Sequence, residues 1–368
     1  MQSIDVCGRN NNFALREKSN HKTRDGDKYI YPPFKSEFNP SEVISYSIYD
    51  KTVAVTKDGV AHAIGDNSKS QISGSLRKKV LQNFSDINIK DAHNKDCLVK
   101  SAVCGGDYAL YLITPKDDDS KKQLAYSHTN LEKEYPFVLN IGESIPIAIF
   151  GGYTDCAAIT SVGSIIYIHE LLYQSMSSSI IAVSLPGNEK AVSIACCYDF
   201  VIVLGISGRV YESKKDQILL FTEIPELKGK GIKSISGIYQ HCFAVSNDGK
   251  VYVRGKDADN SGCLCLGKNA KSPDKFKEVK ELSKYNIEEA YAGTNHSLFK
   301  TSDGKLLGCG DNRYGQILLA SGPCKEKIYK PVETIVTNAS YCVLGDCKTV
   351  IFKDCEPRMN PNREIKKF

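Results

Sequence analysis

GIYQHCFAV, residues 237–245, runs straight into Ser246-Asn247-Asp248-Gly249, and a second apolar run, Val251-Tyr252-Val253, follows. Asp-Gly between two such runs is a strong β-hairpin signal. A type I′ turn is expected there, with positive φ at its central residues. The nonamer recurs through the chain as SIYDKTVAV from Ser47, CGGDYALYL from Cys104, GGYTDCAAI from Gly151, CCYDFVIVL from Cys196, AGTNHSLFK from Ala292 and TNASYCVLG from Thr337. The fifth positions are Lys51, Tyr108, Asp155, Phe200, His241, His296 and Tyr341, spaced by 57, 47, 45, 41, 55 and 45 residues.

Two further marks keep step with the nonamer. About seven residues after the fifth position stand Asp58-Gly59, Val162-Gly163, Ser207-Gly208, Asp248-Gly249 and Asp303-Gly304, with Thr114-Pro115 and Asp346-Cys347-Lys348 in the remaining copies. Farther on, Gly65, Gly255 and Gly310 close the next strand. A β-rich run such as Ile232 to Ser236 precedes the nonamer, and another such as Phe276 to Val279 follows it after a polar loop. Four short strands per unit of roughly 40 to 50 residues is the pattern of a β-propeller blade. A helical solenoid is excluded because no apolar pattern holds a 3.6-residue period. Two unrelated β-sandwiches would account for recurring turns, but not for three marks at matched offsets.

The expected fold is therefore all-β, a single seven-bladed β-propeller over residues 1–368, closed by pairing of the N- and C-terminal strands. Residues 1–40 would complete the blade begun at the C-terminus, which removes the exposed edges an open ring would present. Ile4 to Gly8 and Thr349 to Lys353 both read as third strands of that blade, and the sequence leaves open which takes the place.

These marks resemble the regulator of chromosome condensation family, whose repeat runs Gly-x-x-His-Ser/Thr, strand, Asp-Gly, strand, Trp-Gly-x-Asn, then Gly-Gln-Leu-Gly. The nearest copies are AGTNHSLFKTSDGKLLGCGDNRYGQILL from Ala292, HCFAVSNDGKVYVRGKDADNSGCLCLG from His241 and VAVTKDGVAHAIGDNSKSQISG from Val53. The chain departs from the pattern in having no Trp, His at only two fifth positions, and little of the Gly-Gln-Leu-Gly end.

The resemblance implies a non-enzymatic protein-interaction propeller, with guanine-nucleotide exchange on a Ran-type small GTPase as the specific activity. A scaffold or adaptor for ubiquitin-ligase, cytoskeletal or trafficking partners is the alternative. The family's turn entering the hairpin strand contacts the GTPase, and the matching residues are Asp107, Asp155, His241 and His296. The same positions admit a structural role: histidine satisfying carbonyls between blades, aspartate shaping a turn. No counterpart of the family's wedge hairpin is found, and no basic tail is expected ahead of the first strand.

Composition narrows the partners. With 48 basic against 43 acidic residues the net charge is +5, far from the strong positive field of a phosphate-binding surface, so nucleic acid is not expected. The 14 cysteines include no C-x-x-C, and the close pairs Cys196-Cys197 and Cys263-Leu264-Cys265 lack chelating spacing, so neither metal nor cofactor is expected. No secretory signal is read at MQSIDVCGRNNNF, which predicts reduced, core-filling thiols in a cytoplasmic or nuclear monomer. The most apolar stretch, Ala191 to Ile206, carries Asp199 and is too short for a bilayer. Phosphate loops, His-Glu-x-x-His and Gly-x-Ser-x-Gly are absent from the sequence, so no catalytic residues are expected. Lys116 to Lys122 reads as a solvated loop, and Arg77-Lys78-Lys79 and the final Asn-Arg-Glu-Ile-Lys-Lys-Phe are short basic runs.

Overall fold

A computed structural model describes residues 3–9, 21–22, 28–35, 38–68, 72, 80–91, 93–129, 136–168, 180, 182–214, 220–257, 259–323 and 327–354. Seven antiparallel sheets form, one for each expected repeat. From the innermost strand outward, blade 1 comprises Val43–Ile48, Lys51–Thr56, Ala61–Asp66 and Val80–Ile87. Blade 2 comprises Cys97–Cys104, Tyr108–Pro115, Gln123–His128 and Phe137–Val138. Blade 3 has Pro146–Gly151, Cys156–Thr160 and Ile165–Ile168, with Val183 bridging Ile165 where a fourth strand would stand. Blade 4 is Ala191–Cys196, Phe200–Gly205, Val210–Lys214 and Thr222–Glu223, and blade 5 is Ile232–Gly237, His241–Ser246, Val251–Gly255 and Lys277–Glu278. Blade 6 is Ile287–Ala292, His296–Thr301, Lys305–Gly310 and Ile328–Thr337.

The innermost strands pack in sequence around the ring, and Ala339–Gly345 of blade 7 returns against Val43–Ile48 of blade 1. Second strands are covered on both faces by neighbouring blades. That is why Tyr108–Pro115, Phe200–Gly205 and His241–Ser246 are apolar almost throughout and buried at every residue.

Blade 7 closes the ring with strands from both ends, and the register resolves the open question of its third strand. Lys348–Lys353 is the second strand and Ser3–Arg9 the third, paired antiparallel from Ser3 opposite Lys353 to Gly8 opposite Lys348. Lys28–Lys35 and then His21–Lys22 extend the sheet outward, so this blade has five strands where four were expected. The seventh anchor also moves. Tyr341 lies inside the innermost strand, and Lys348 opens the second strand as Lys51, Tyr108, Phe200, His241 and His296 do. Asp346-Cys347, expected as the hairpin turn between second and third strands, is instead the turn from the innermost strand to the second.

The Asp-Gly hairpins differ from expectation in one respect. Gly59, Gly163, Gly208, Gly249 and Gly304 have φ between 78° and 84°, but Asp58, Asp248 and Asp303 do not share the positive φ. The Gly249 amide donates to the Ser246 carbonyl at 3.0 Å and the Ser246 amide to the Lys250 carbonyl at 3.0 Å, a three-residue turn with a glycine bulge rather than type I′. The bulge turns the glycine carbonyl toward the next blade. Gly59 O accepts from Val99 N at 2.8 Å, Gly163 O from Ala191 N at 3.0 Å, Gly208 O from Ile232 N at 3.2 Å and Gly249 O from Ile287 N at 3.3 Å. One repeated dipeptide thus closes its own hairpin and fastens the following blade.

All twelve described cysteines are buried as free thiols, and burial raises Cys97 to about 11. No helix among the described residues is long and apolar enough to cross a membrane. The basic runs at residues 77–79 and 362–368 lie outside the described residues.

Candidate partner-binding face

The turns from innermost to second strand all emerge at one end of the ring, and so do the ends of the third strands. At five joints the first residue of the second strand reaches sideways toward the next blade, through an ammonium, a phenol, a phenyl ring or an imidazole. The Lys51 ammonium donates to the Gly105 and Gly106 carbonyls at 2.8 and 2.9 Å. Tyr108 Oη donates to the Asp155 carbonyl at 2.8 Å and accepts from the Gly152 amide at 3.0 Å. The Phe200 ring lies 4.5 Å beneath the Arg254 guanidinium of blade 5, which also pairs with Glu212 of blade 4. His241 Nε2 meets Ser297 Oγ at 3.1 Å, and His296 Nε2 meets Thr349 Oγ1 at 3.0 Å. Both histidines are fully buried, and desolvation lowers each to about 4, so they are neutral at pH 7.

This geometry places the four expected contact residues. His241 and His296 sit inside blade joints with no solvent-exposed surface. Asp155 is 1% exposed, and its Oδ2 accepts from Tyr167 Oη at 2.8 Å within its own blade. Asp107 alone of the four is exposed, at the tip of the Gly105-Gly106-Asp107 turn. Both histidines lie between blades, but their Nε2 atoms meet hydroxyls there rather than the carbonyls expected.

What fills the centre of this face was not anticipated. Tyr49, Tyr153, Tyr198 and Tyr239, from blades 1, 3, 4 and 5, converge over the ring axis. Tyr153 is the hub, with ring centroids 5.3 Å from Tyr49, 5.3 Å from Tyr239 and 6.1 Å from Tyr198, and Tyr198 is 5.7 Å from Tyr239. The turn backbones lock together beneath them: Gly106 N donates to Tyr153 O at 2.9 Å, Tyr153 N to Ile238 O at 3.2 Å and Tyr198 N to Tyr239 O at 2.6 Å. Ile238 joins the core between blades 1 and 2, and the channel is capped. On the other side of this cap a cavity of about 490 Å³ is lined by the innermost strands, including Ser45, Ser47 and Ile149. The tyrosines do have a sequence signal, since each is the third position of its nonamer.

The cap is ringed by carboxylates. Asp50 follows Tyr49, Asp199 follows Tyr198, and Asp107 stands beside the Tyr153 hub. Asp199 is 3.4 Å from Lys256, and Asp50 is 3.9 Å from the buried Lys348 ammonium. Asp107 makes no ion pair with the other described residues. Desolvation, then the Asp107 charge, raises the Tyr153 phenol above its ordinary range. The face is aromatic and acidic, and no nucleophile with an activating base stands on it among the residues described above.

The ring of seven sheets with a shared closing blade defines a β-propeller, and known proteins resemble it in one repeat and in fold. Residues 289–316 match the Regulator of chromosome condensation (RCC1) repeat. The secretion-regulating guanine nucleotide exchange factor of Bos taurus is 27% identical over 129 residues, which cover 35% of this chain and 27% of that protein. The chain thus matches little more than a quarter of that relative's length. Human WBSCR16 superposes with a TM-score of 0.76 at 14% identity, covering 96% of this chain and 99% of the other. Prp20p of Saccharomyces cerevisiae superposes with a TM-score of 0.70 at 12% identity, covering 100% and 94%. The chain is a seven-bladed β-propeller that shares its fold with these two proteins and carries, at residues 289–316, a match to the regulator of chromosome condensation repeat.

Proposed function

We propose that the protein binds a small GTPase of the Ran type through its tyrosine-capped face and promotes nucleotide exchange on it. The observation that carries this reading is the face itself, a set of hydrogen-bonded turns presenting exposed Tyr198 and Asp107 at the expected family contact surface. The similarity to a secretion-regulating guanine nucleotide exchange factor and to Prp20p, described by its binding to Gsp1p and histones, supports it. Exchange requires no catalytic side chain here. A surface with higher affinity for the nucleotide-free GTPase than for the GDP form shifts the population toward the open site, and the rate of release follows. Of the four residues expected at the contact, Asp107 is retained as a direct contact, and Asp155, His241 and His296 hold the turns in place. Such a partner puts the protein in the cytoplasm or nucleus, acting as a monomer.

Calorimetric titration with a Ran-type GTPase of the same organism tests the reading. The expected result is binding at least tenfold tighter to the nucleotide-free form than to the GDP form, a difference of about 1.4 kcal/mol. Equal affinity for both forms, or no binding, would remove the exchange function.

A further inference from the structure

We propose that the axial channel beneath the cap binds one molecule of a small carboxylate amphiphile. Its acid pairs with Lys122 at the open end, and its apolar body lies against isoleucines of the innermost strands. The site is separate from the cap face and needs no GTPase.

The space is large and closed at one end. The cavity of about 490 Å³ is walled chiefly by the innermost strands of blades 1, 2 and 3, and a second of about 250 Å³ by those of blades 4 to 7. Both are lined by Tyr46, Gly151, Ile238, Val343 and Leu344, so they are two sides of one channel. Pockets of several hundred Å³ hold single small molecules. Ile238, whose carbonyl accepts from the Tyr153 amide of the cap, forms the closed end. Asp119 and Lys122, in the loop between the second and third strands of blade 2, line the opposite end.

The walls turn their hydroxyls away and leave apolar side chains to the channel. Ser45 Oγ accepts from Ala102 N at 3.2 Å, Ser47 Oγ from Cys104 N at 3.0 Å and Ser236 Oγ from Ala292 N at 3.0 Å, each on the next blade. Ile44, Ile147 and Ile149 line one side, and Ile194 and Ile235 the other. Ile44 and Ile147 are only half-buried, so an alkyl body laid on them removes apolar surface on both partners from water.

Charge at the open end selects the head group. Asp119 is 2.5 Å from Lys100 and also accepts from Thr114 Oγ1 at 3.3 Å, and Lys121 is 3.1 Å from Asp118. Lys122, half-buried on the lining, makes no ion pair with the other described residues. Across the channel the Glu289 carboxylate already accepts from Tyr291 Oη. A carboxylate entering last meets Lys122 in a partly desolvated mouth, whereas an ammonium there would face two like charges, Lys100 and Lys122.

Calorimetric titration of the full chain with decanoate, hexanoate and decylammonium tests the site. One decanoate per chain is expected, with hexanoate and decylammonium each at least tenfold weaker. Lys122→Gln should weaken decanoate about tenfold with the melting curve unchanged. Val343→Phe, which fills the channel where its two sides meet, should abolish binding; if that variant fails to fold, Lys122→Gln alone decides. Absence of saturable binding up to millimolar decanoate, equal binding of decylammonium, or decanoate affinity that Lys122→Gln leaves intact overturns the proposal. Lys122→Gln should bind the GTPase as the native protein does, so the failure of either reading leaves the other standing.

Discussion

The Lys51 ammonium of blade 1 lies 2.8 Å from the Gly105 carbonyl oxygen of blade 2 and 2.9 Å from that of Gly106, fully buried beneath the acidic turns. It occupies the same place as His241 and His296 in blades 5 and 6. A single structural task, satisfying the carbonyls or hydroxyls of the next blade, is met by an ammonium in one joint and by imidazoles in others. Removing the donor takes the ammonium from the buried Gly105 carbonyl and the half-buried Gly106 carbonyl. Lys51→Met should therefore cost about 2 kcal/mol in urea unfolding, since a lost partner to a buried polar group costs roughly 1 to 3 kcal/mol. An unchanged midpoint would show the joint to be dispensable.

The histidine joints make stability depend on pH in a defined window. His241 and His296 have folded pKa values of about 4 against an ordinary 6.5, so between these limits the unfolded chain binds more protons. Stability is fully present above pH 6.5 and declines as pH falls toward 4, by on the order of 2 kcal/mol for each histidine at pH 5. Asp248, held down to about 2 by Lys250 and Ser246, acts only in the lower window from its ordinary value toward 2. Urea midpoints at pH 8, 6, 5 and 4 should fall most between 6 and 4, and the fall should lessen in a His241→Asn variant.

Two hairpin glycines separate backbone strain from crowding. Gly304 has φ +83° and its nearest neighbour to an added Cβ is 3.7 Å away, whereas at Gly249, φ +78°, that Cβ would lie 2.1 Å from Asn286 Oδ1 and 3.1 Å from Ile287 N. Gly304→Ala should cost about 1 to 2 kcal/mol for the left-handed backbone alone. Gly249→Ala should cost more, because the joint to blade 6 must also shift. Chemical denaturation of the two variants compares them directly.

Thiol chemistry checks the packing of the whole ring. Of 14 cysteines, the twelve described are all buried, so a native protein should offer no more than two fast-reacting thiols to a disulfide reagent, and 14 after unfolding in urea. Three or more fast thiols would contradict the burial pattern.

The repeat was legible because the second strands are two-sided core strands, whose apolar runs enter glycine turns at nearly constant offsets. The seventh copy slipped by seven residues for a physical reason. Tyr341 packs its ring 4.2 Å from Phe352 and so resembles the aromatic and histidine anchors of other copies, although it lies one strand farther in. The identity of the closing strand was beyond local pattern, since Ser3–Arg9 finds its inner partner, Lys348–Lys353, across the full length of the chain. At the candidate face the turn was visible, but side-chain direction was not. The anchor position points inward between blades, which buries His241 and His296, while the third position of the same nonamer points to the axis and builds the tyrosine cap.

Release of labelled GDP from a Ran-type GTPase of the same organism, with and without the protein at micromolar concentration, bears most directly on exchange through the capped face. Accelerated release is expected, reduced by Asp107→Asn combined with Tyr198→Ala and left unchanged by Asp58→Asn on the opposite face. Release at the intrinsic rate, or acceleration that the cap variants leave intact, would contradict it.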